Sequence, residues 1–405
     1  MNITIVGGGF AGVKTALELL KDPRNSVTII TDKPDFQYYP ALYNTATGHA
    51  HEQSWTPLSE IFAGKENIEV IIDTITAIDP HTKQLTTALG TVIEYEYAIL
   101  ALGAVTTYFG IEGLDKYAYG IKSYQEIQAL KAHLHDEVRH DHALDNHYVI
   151  IGAGPTGVEL AASLKPYLER LSRKYKLRRQ KYQIDVIEAM PRVLPRMPEK
   201  VSALVLKRLR GLGVNVMLDK KVESQDATHL KVSGEFIESH TVIWTSGVAN
   251  HPFFQANESH FRFAPNHKVI VDDYLQVNKH LWVIGDNAAT QWSGLAQNAL
   301  RDAKFVARNI RRKQDGKSLK KYSTWTPQVV VPVGDNWAVY TWKKIVLTGW
   351  MGHLPRRAAD FIGYTDVLPF AHAMRLWSSE KKLEDDYFPA EPSTATTQSA
   401  IIDAE

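Results

Sequence analysis

Short β-branched runs alternate along this chain with segments whose apolar residues recur at helical spacing. The first run, Ile3–Val6, precedes Val13, Ala16, Leu17 and Leu20, which fall at i, i+3, i+4 and i+7 on one helix face. SVTII (Ser26–Ile30) then reads as a second strand. The same signals return later: a strand over His147–Ile151, a helix from near Val158 and a strand over QIDVIEA (Gln183–Ala189). Two buried-type runs, EYEYAILALGA (Glu94–Ala104) and HTVIWTSGV (His240–Val248), carry Gly103 and Gly247 near their ends. A third, LWVIGDNAA (Leu281–Ala289), is halted by Gly285–Asp286 where an outer unit has to resume. The order predicts an α/β chain in which a second strand–helix–strand unit is inserted in the first. The expected boundaries are 1–115 and 256–325 for the outer domain and 116–255 for the inserted one, with a linker near Lys116–Tyr124.

Beyond Lys321 the pattern changes. QVVVPVG (Gln328–Gly334), NWAVYTW (Asn336–Trp342) and KIVLTG (Lys344–Gly349) read as short strands. RRAADFIGYTDVLPFAHAMRLW (Arg356–Trp377) reads as helical, interrupted at Pro369, with Ala358, Phe361, Ile362 and Thr365 on one face. Trp350 and Trp377 bracket this stretch, and Arg356, Arg357, Arg375, Lys381 and Lys382 flank it. Apolar residues edged by cations suit a helix lying in a membrane surface, so residues 350–382 are a candidate peripheral membrane contact. Packing against the chain's own body or a dimer partner is the other reading. Residues 326–385 thus form a small C-terminal β/α region for membrane or dimer contact. The tail from 386 to 405, rich in Thr, Ser and Ala, is expected to be disordered.

Both strand–helix junctions carry the same loop, and this adds chemistry to the pattern. The spacing G-x-G-x-x-G occurs at Gly7, Gly9 and Gly12 and again at Gly152, Gly154 and Gly157. In a Rossmann-like fold the three glycines allow a tight turn, backbone access to a pyrophosphate and close helix–sheet packing. The anion lies against the free N–H groups of the helix N-terminus. Asp32, twenty residues beyond Gly12, and Glu188, at the end of the later strand, stand where an acid accepts hydrogen bonds from a ribose. Glu188 has no basic residue beside it, which favours NADH over NADPH, although Arg192 is near. The spacing to Glu188 is stretched by KPYLERLSRKYKLRRQKY (Lys165–Tyr182), with eight Lys or Arg against one Glu. A solvated helix extension is the plainer reading of that insertion, and an electrostatic guide for anions the other. Two such folds imply two ligands, FAD and NAD(P)H, between which hydride can pass. Asp286 would then reach the ribityl hydroxyls of the flavin.

Composition narrows this further. A formal net charge of +1 over 405 residues makes no electrostatic case for nucleic acid. No run approaches the roughly 20 apolar residues of a membrane-spanning helix. Met1–Asn2 leads straight into a strand, so the expected location is the cytoplasm, at the inner face of the cell membrane. The chain has no cysteine, which excludes disulfides, thiolate metal sites and electron transfer through a dithiol. His49 and His51 lack a spaced third ligand, so no metal is expected. There is no G-x-S-x-G elbow and no Walker A loop.

The two loops, ALGA, WTSGV and IGDNAA, in this order, resemble the flavoprotein disulfide reductase superfamily with two dinucleotide-binding domains. Within it the chain resembles the type II NADH:quinone oxidoreductases, single-chain respiratory NADH dehydrogenases. The motifs are FQYYPALYNTATG (Phe36–Gly48), FGIEGL (Phe109–Leu114), GPTGVELA (Gly154–Ala161) and AQNA (Ala296–Ala299). The resemblance implies hydride transfer from NADH to FAD, then two electrons to a membrane quinone, without proton pumping. It implies that Gly7, Gly9, Phe10, Ala11, Gly12, Asp32, Lys33, Ile75, Gly103 and Asp286 hold FAD in the outer domain. Ala296 and Gln297 lie at the flavin's quinone side. Gly152, Gly154, Thr156, Gly157, Glu188 and Gly247 hold NADH in the inserted domain, while Gly48 and Gln297 frame the quinone. Glu159 matches an acid near the nicotinamide–flavin stack, so Glu159 and Gln297 are the candidate catalytic residues; an acid merely stabilised by a helix N-terminus is the alternative for Glu159. A homodimer is also implied. The C-terminus departs from the family pattern through Asp366, His372 and an acidic tail; Tyr364 and Asp366 are further pocket candidates there. Two other functions share the scaffold: a reductase serving a ferredoxin- or rubredoxin-type carrier, and a non-catalytic NADH sensor.

Overall fold

The computed structural model describes residues 1–141, 143–178 and 181–385. The expected tail lies outside the described residues. The first sheet runs, in spatial order, through Gln276–Asn278, Leu281–Val283, Tyr97–Leu100, Asn2–Val6, Ser26–Thr31 and Ile68–Ile72. All neighbours are parallel except the first pair, a hairpin. Alternate residues feed two different cores. Ile3, Ile5, Ile29 and Ile99 pack with the helices Phe10–Leu19 and Ala296–Gln314, whereas Val6, Ile30, Leu100 and Val283 pack with Ile75, Leu85 and Phe254. A sheet covered on both faces explains why its strands read as continuous apolar runs.

The second sheet orders Asn215–Met217, Gln183–Ile187, His147–Ile151 and Thr241–Trp244, all parallel. It lies wholly between Tyr97–Leu100 and Gln276–Asn278 in the chain, so one doubly wound unit is inserted in the other. Its faces are again divided: Tyr148, Ile150 and Val186 pack with the helix Pro155–Lys174, and Val149, Ile151 and Val242 with Leu230 and Val232. In both units a three-stranded antiparallel meander covers the face opposite the helices. These are Ile75–Asp79, Gln84–Thr87 and Val92–Glu94 in the first, and Val222–Gln225, His229–Val232 and Glu235–Glu238 in the second.

Several elements differ from expectation for local reasons. The run Glu94–Ala104 forms two strands, Tyr97–Leu100 and Ala104–Thr106, and His240–Val248 breaks likewise into Thr241–Trp244 and Val248–Asn250. The left-handed residues Gly103 (φ +76) and Gly247 (φ +65) separate the pieces. The detached ends, Ala104–Thr106 and Val248–Asn250, pair antiparallel, so the outgoing and returning crossings of the chain lie side by side. The helix of the second loop begins at Pro155, three residues earlier than expected, because proline is tolerated in the first turn of a helix. It continues to Lys174, so the start of the basic insertion is a helix extension.

The C-terminal region ties the two units together. The strands Val329–Pro332, Ala338–Trp342 and Ile345–Leu347 form a sheet whose Val331, Val333 and Val339 enter the second unit's core. The helix Trp350–Val367 starts six residues before Arg356 and is followed by Phe370–Ser378. Its expected single face is divided: Ala358 and Ile362 are exposed, while Phe361 sets its ring edge-on to Trp377 at 5.6 Å. Asp366 fixes the helix to both helices of the first unit, pairing with Lys14 at 3.1 Å and Lys304 at 2.8 Å.

Candidate functional site

The two glycine loops match each other residue by residue. Gly7 (φ +114) and Gly152 (φ +104) make the turn in a backbone region that disfavours side chains. A Cβ on Gly12 would run into the Gly7 carbonyl, and one on Gly157 into the Gly152 carbonyl. Gly9 and Gly154 are the N-caps of their helices, with no side-chain cap and no atom within 4 Å of where a Cβ would stand. Each helix therefore presents uncapped N–H groups to an open cradle, the donor set that a pyrophosphate requires. Phe10 and Ala11 are buried behind the first cradle, and Phe10 meets Phe36 edge-on at 5.0 Å. Thr156 lies in the first turn behind the second.

Three other segments converge on the first cradle. Gly7 abuts the Ala101 carbonyl. Gly103 donates its N–H to Asn287 Oδ1 at 2.9 Å, and Asn287 Nδ2 donates back to the Gly103 carbonyl at 2.7 Å. A Cβ on Gly285 would lie 3.3 Å from that of Ala11. Beneath this turn, Asp302 accepts from the Gly285 N–H at 3.1 Å and from Tyr322 at 2.6 Å. Burial raises the Asp302 carboxyl to about 6, and raises that of Asp286 as well, against the pull of Lys268. Asp32 and Lys33 stand exposed just past Ser26–Thr31, and both act on His251. Ile75 is buried opposite Thr87 in the meander. The Tyr39 ring is about half exposed, but partial burial of its phenol together with the charges of Asp286, Asp32 and Glu126 pushes that group up to about 12.

At the second cradle Glu188 is tied to the loop. Its carboxylate accepts from the Ala153 N–H at 2.7 Å and from Met190 N–H at 2.9 Å. Arg192 turns away, donating to the carbonyls of Met197 and Pro195. Ser246 stands against Gly152, and Gly247 against the Thr107 carbonyl. Lys122, from the linker, donates to the Ser246 and Gly247 carbonyls at 3.1 and 2.8 Å; burial lowers its pKa.

Gln297, at the start of Ala296–Gln314, donates to the Gln328 carbonyl at 2.6 Å and accepts from the Gln328 N–H at 3.3 Å. Gly48 is wedged against Tyr167, Arg170 and Asp385, in a segment bridged to Leu383 through His49. Glu159 follows the second loop by two residues. Burial raises its carboxyl to about 8, with Arg356 opposing and Asp360 adding to the shift. Tyr364 is buried, donates to the Gln53 carbonyl at 2.8 Å and stacks on Tyr38.

The expected site residues did not include Asn287, Asp302, Lys122 or Asp360, and Arg356, expected as a cation flanking a membrane-surface helix, is instead buried and paired with Asp360. Asn287 sits inside the IGDNAA motif, beside the more conspicuous acid. The others lie far in sequence from either loop and carry no local signal. Among the described residues no group of three or more His, Cys, Asp or Glu is arranged to hold a metal ion.

Residues 1–303 match the family model described as pyridine nucleotide-disulphide oxidoreductase, about three-quarters of the chain. The chain belongs to that family. Lacking cysteine, this member of the pyridine nucleotide-disulphide oxidoreductase family has no dithiol to carry electrons. It is 26% identical over 394 residues to the type II NADH:quinone oxidoreductase NdhA of Mycobacterium tuberculosis, covering 89% of this chain and 84% of that one. Its fold matches NDH2 of Plasmodium falciparum, solved with NADH, at a TM-score of 0.81 and 18% identity, covering 94% and 97% of the two chains. The sulfide:quinone oxidoreductase of Aquifex aeolicus matches at 0.75 with 19% identity, over 94% and 91%. These likenesses bear out the expected architecture of two dinucleotide-binding units, one inserted in the other.

Proposed function

We propose that the chain is an FAD-dependent NADH:quinone oxidoreductase. The observation that carries this reading is the duplicated open cradle in a chain resembling a type II NADH:quinone oxidoreductase over 89% of its length. Residues 1–115 and 256–325 form the FAD domain, and residues 116–255 the NADH domain. The uncapped helix start at Gly9 holds the pyrophosphate of FAD, with Asp32 at the ribose, Ile75 at the adenine and Asp286 at the ribityl chain. Asn287 keeps Gly103 in place beside it. The helix start at Gly154 holds NADH, and Glu188, fixed by two loop N–H groups, accepts from its ribose. The turned-away guanidinium of Arg192 leaves that acid uncompensated, which favours NADH over NADPH. FAD, when bound, supplies two-electron redox chemistry between nicotinamide and quinone. The protein's own part is to position the two partners, exclude water and manage protons at Glu159.

The acceptor is a membrane quinone, bordered by Ala296, Gln297 and Gly48. No helix among the described residues is long and apolar enough to cross a membrane. Trp350, Met351, Leu354, Ile362 and Phe370 are instead exposed along the last two helices, with Arg357 and Arg375 nearby, as suits contact with the inner face of the cell membrane. The test is steady-state oxidation of NADH by the purified flavin-loaded protein with a short-chain quinone. Quinone-dependent NADH consumption exceeding that with NADPH supports the reading; flavin reduction without quinone turnover would move it to a protein acceptor.

A further inference from the structure

The turn at residues 108–111, where the FGIEGL motif begins, carries a side chain that neither the core nor either cradle explains. The Ile111 N–H donates to the Tyr108 carbonyl at 3.0 Å, and both residues between them have positive φ, Phe109 at +54 and Gly110 at +71. Such a turn favours glycine, asparagine or aspartate at its two centres, because a bulky side chain is strained there. Phe109 is strained and also 66% exposed. Among the described residues, Leu194 and Leu275 are the other apolar side chains on a left-handed backbone. Each is 1% exposed, so burial offsets the strain. Phe109 has no such compensation. The ring is nevertheless held in one place. The Phe109 N–H donates to Thr107 Oγ1 at 3.2 Å, and the Thr107 carbonyl accepts from Trp244 Nε1 at 3.1 Å. The Trp244 ring is buried and meets Phe109 edge-on at 6.2 Å. The Phe109 ring also lies against Gly247, 3.1 Å from where a Cβ would stand.

The order of the second sheet says what stands next to that ring. The second cradle follows His147–Ile151, which lies between Gln183–Ile187 and Thr241–Trp244. Glu188 ends the strand on one side, and the turn of Ser246 and Gly247 follows the strand on the other. A dinucleotide with its pyrophosphate in the cradle and its adenosine ribose at Glu188 therefore extends its other half across Ser246 and Gly247. That side also faces the first unit, because Gly247 leads straight into Val248–Asn250, which pairs with Ala104–Thr106. Lys122 takes up the carbonyls of Ser246 and Gly247, which fixes the turn and leaves the Phe109 ring as the exposed aromatic beside it. Resting on the NADH reading of the second unit, we propose that Phe109 is a binding residue for NADH, its ring forming a wall against which the nicotinamide half packs. A flat apolar face suits a planar heteroaromatic ring, through dispersion and offset stacking. The left-handed turn keeps that face out of the core at some loss of stability, as strained residues at binding sites do.

The test compares full-length, flavin-loaded wild type with Phe109→Tyr and Phe109→Asn. Tyrosine keeps the ring, whereas asparagine removes it and suits the turn, so folding is at little risk. The quantities measured are the KM for NADH with a short-chain quinone and the Kd for NAD⁺, read without turnover from tryptophan fluorescence. For Phe109→Asn the expected result is both constants raised about tenfold, with kcat lowered less than about twofold. Its flavin content should be unchanged and its melting temperature no lower than that of wild type. Phe109→Tyr should hold both constants within about twofold of wild type. A Phe109→Asn protein that binds NAD⁺ as tightly as wild type overturns the proposal. So does one that sheds its flavin or melts lower, since the ring would then be a structural prop. A loss in Phe109→Tyr equal to that in Phe109→Asn overturns it as well. Wild type that neither binds NAD⁺ nor oxidises NADH defeats the reading of the second unit itself; failure of the proposal alone leaves wild-type NADH oxidation intact.

Discussion

Gly12 has no room for even a methyl group, because the Gly7 carbonyl occupies the place of a Cβ. A Gly12→Glu variant should therefore lose its flavin, purifying colourless or with a lowered melting temperature. A normal flavin absorbance per protein would remove the first loop from the cofactor site. Glu159 is a different kind of residue, costly where it stands because burial raises its carboxyl to about 8 from an ordinary 4.5. The native state then holds a proton that the unfolded state releases. The contribution to stability is whole below 4.5 and is lost as pH rises through about 8. Glu159→Gln should leave the melting temperature unchanged at acid pH and raise it above pH 8. The size of the rise follows from proton affinity, a tenfold difference between native and unfolded states corresponding to about 1.4 kcal/mol. Equal melting temperatures at both extremes would show that the carboxyl is not perturbed.

At the scale of elements, legibility followed locality. Both glycine loops, their helices and the acids Asp32 and Glu188 are visible in the sequence because turn, helix start and strand end lie within a few dozen residues. The meanders Ile75–Glu94 and Val222–Glu238 are not, since strands of three to five residues with polar outer faces carry little periodicity. The helix Trp350–Val367 is half legible. Its apolar residues stand out, but their spacing suggests one face where the structure uses two, Arg356, Asp360 and Tyr364 inward and Met351, Leu354 and Ile362 outward. Asp366, out of place in a membrane helix, is the anchor that holds it to Lys14 and Lys304. A Leu354→Glu, Ile362→Glu double variant should therefore keep its fold and its activity towards a soluble quinone. Its sedimentation with vesicles containing anionic lipid should fall about tenfold or more, since two buried apolar side chains contribute roughly 3 kcal/mol or more. Unchanged sedimentation would assign the outward face to another partner.

At the scale of the molecule, the design is one plan used twice and then fastened. Each unit has a mainly parallel sheet, a cradle at a helix start and a meander over the opposite face. The paired strands Ala104–Thr106 and Val248–Asn250 hold the two crossings together. The C-terminal sheet grips the second unit while the helix after it grips the first. Such fastening suits an enzyme whose two ligands have to meet at one place. The measurement that tests this most directly is anaerobic rapid mixing of the flavin-loaded protein, first with NADH and then with quinone, following the flavin absorbance. The account predicts fast bleaching by NADH, slower bleaching by NADPH and fast recovery on adding quinone. A flavin that NADH does not bleach, or one that stays bleached in the presence of quinone, would contradict it.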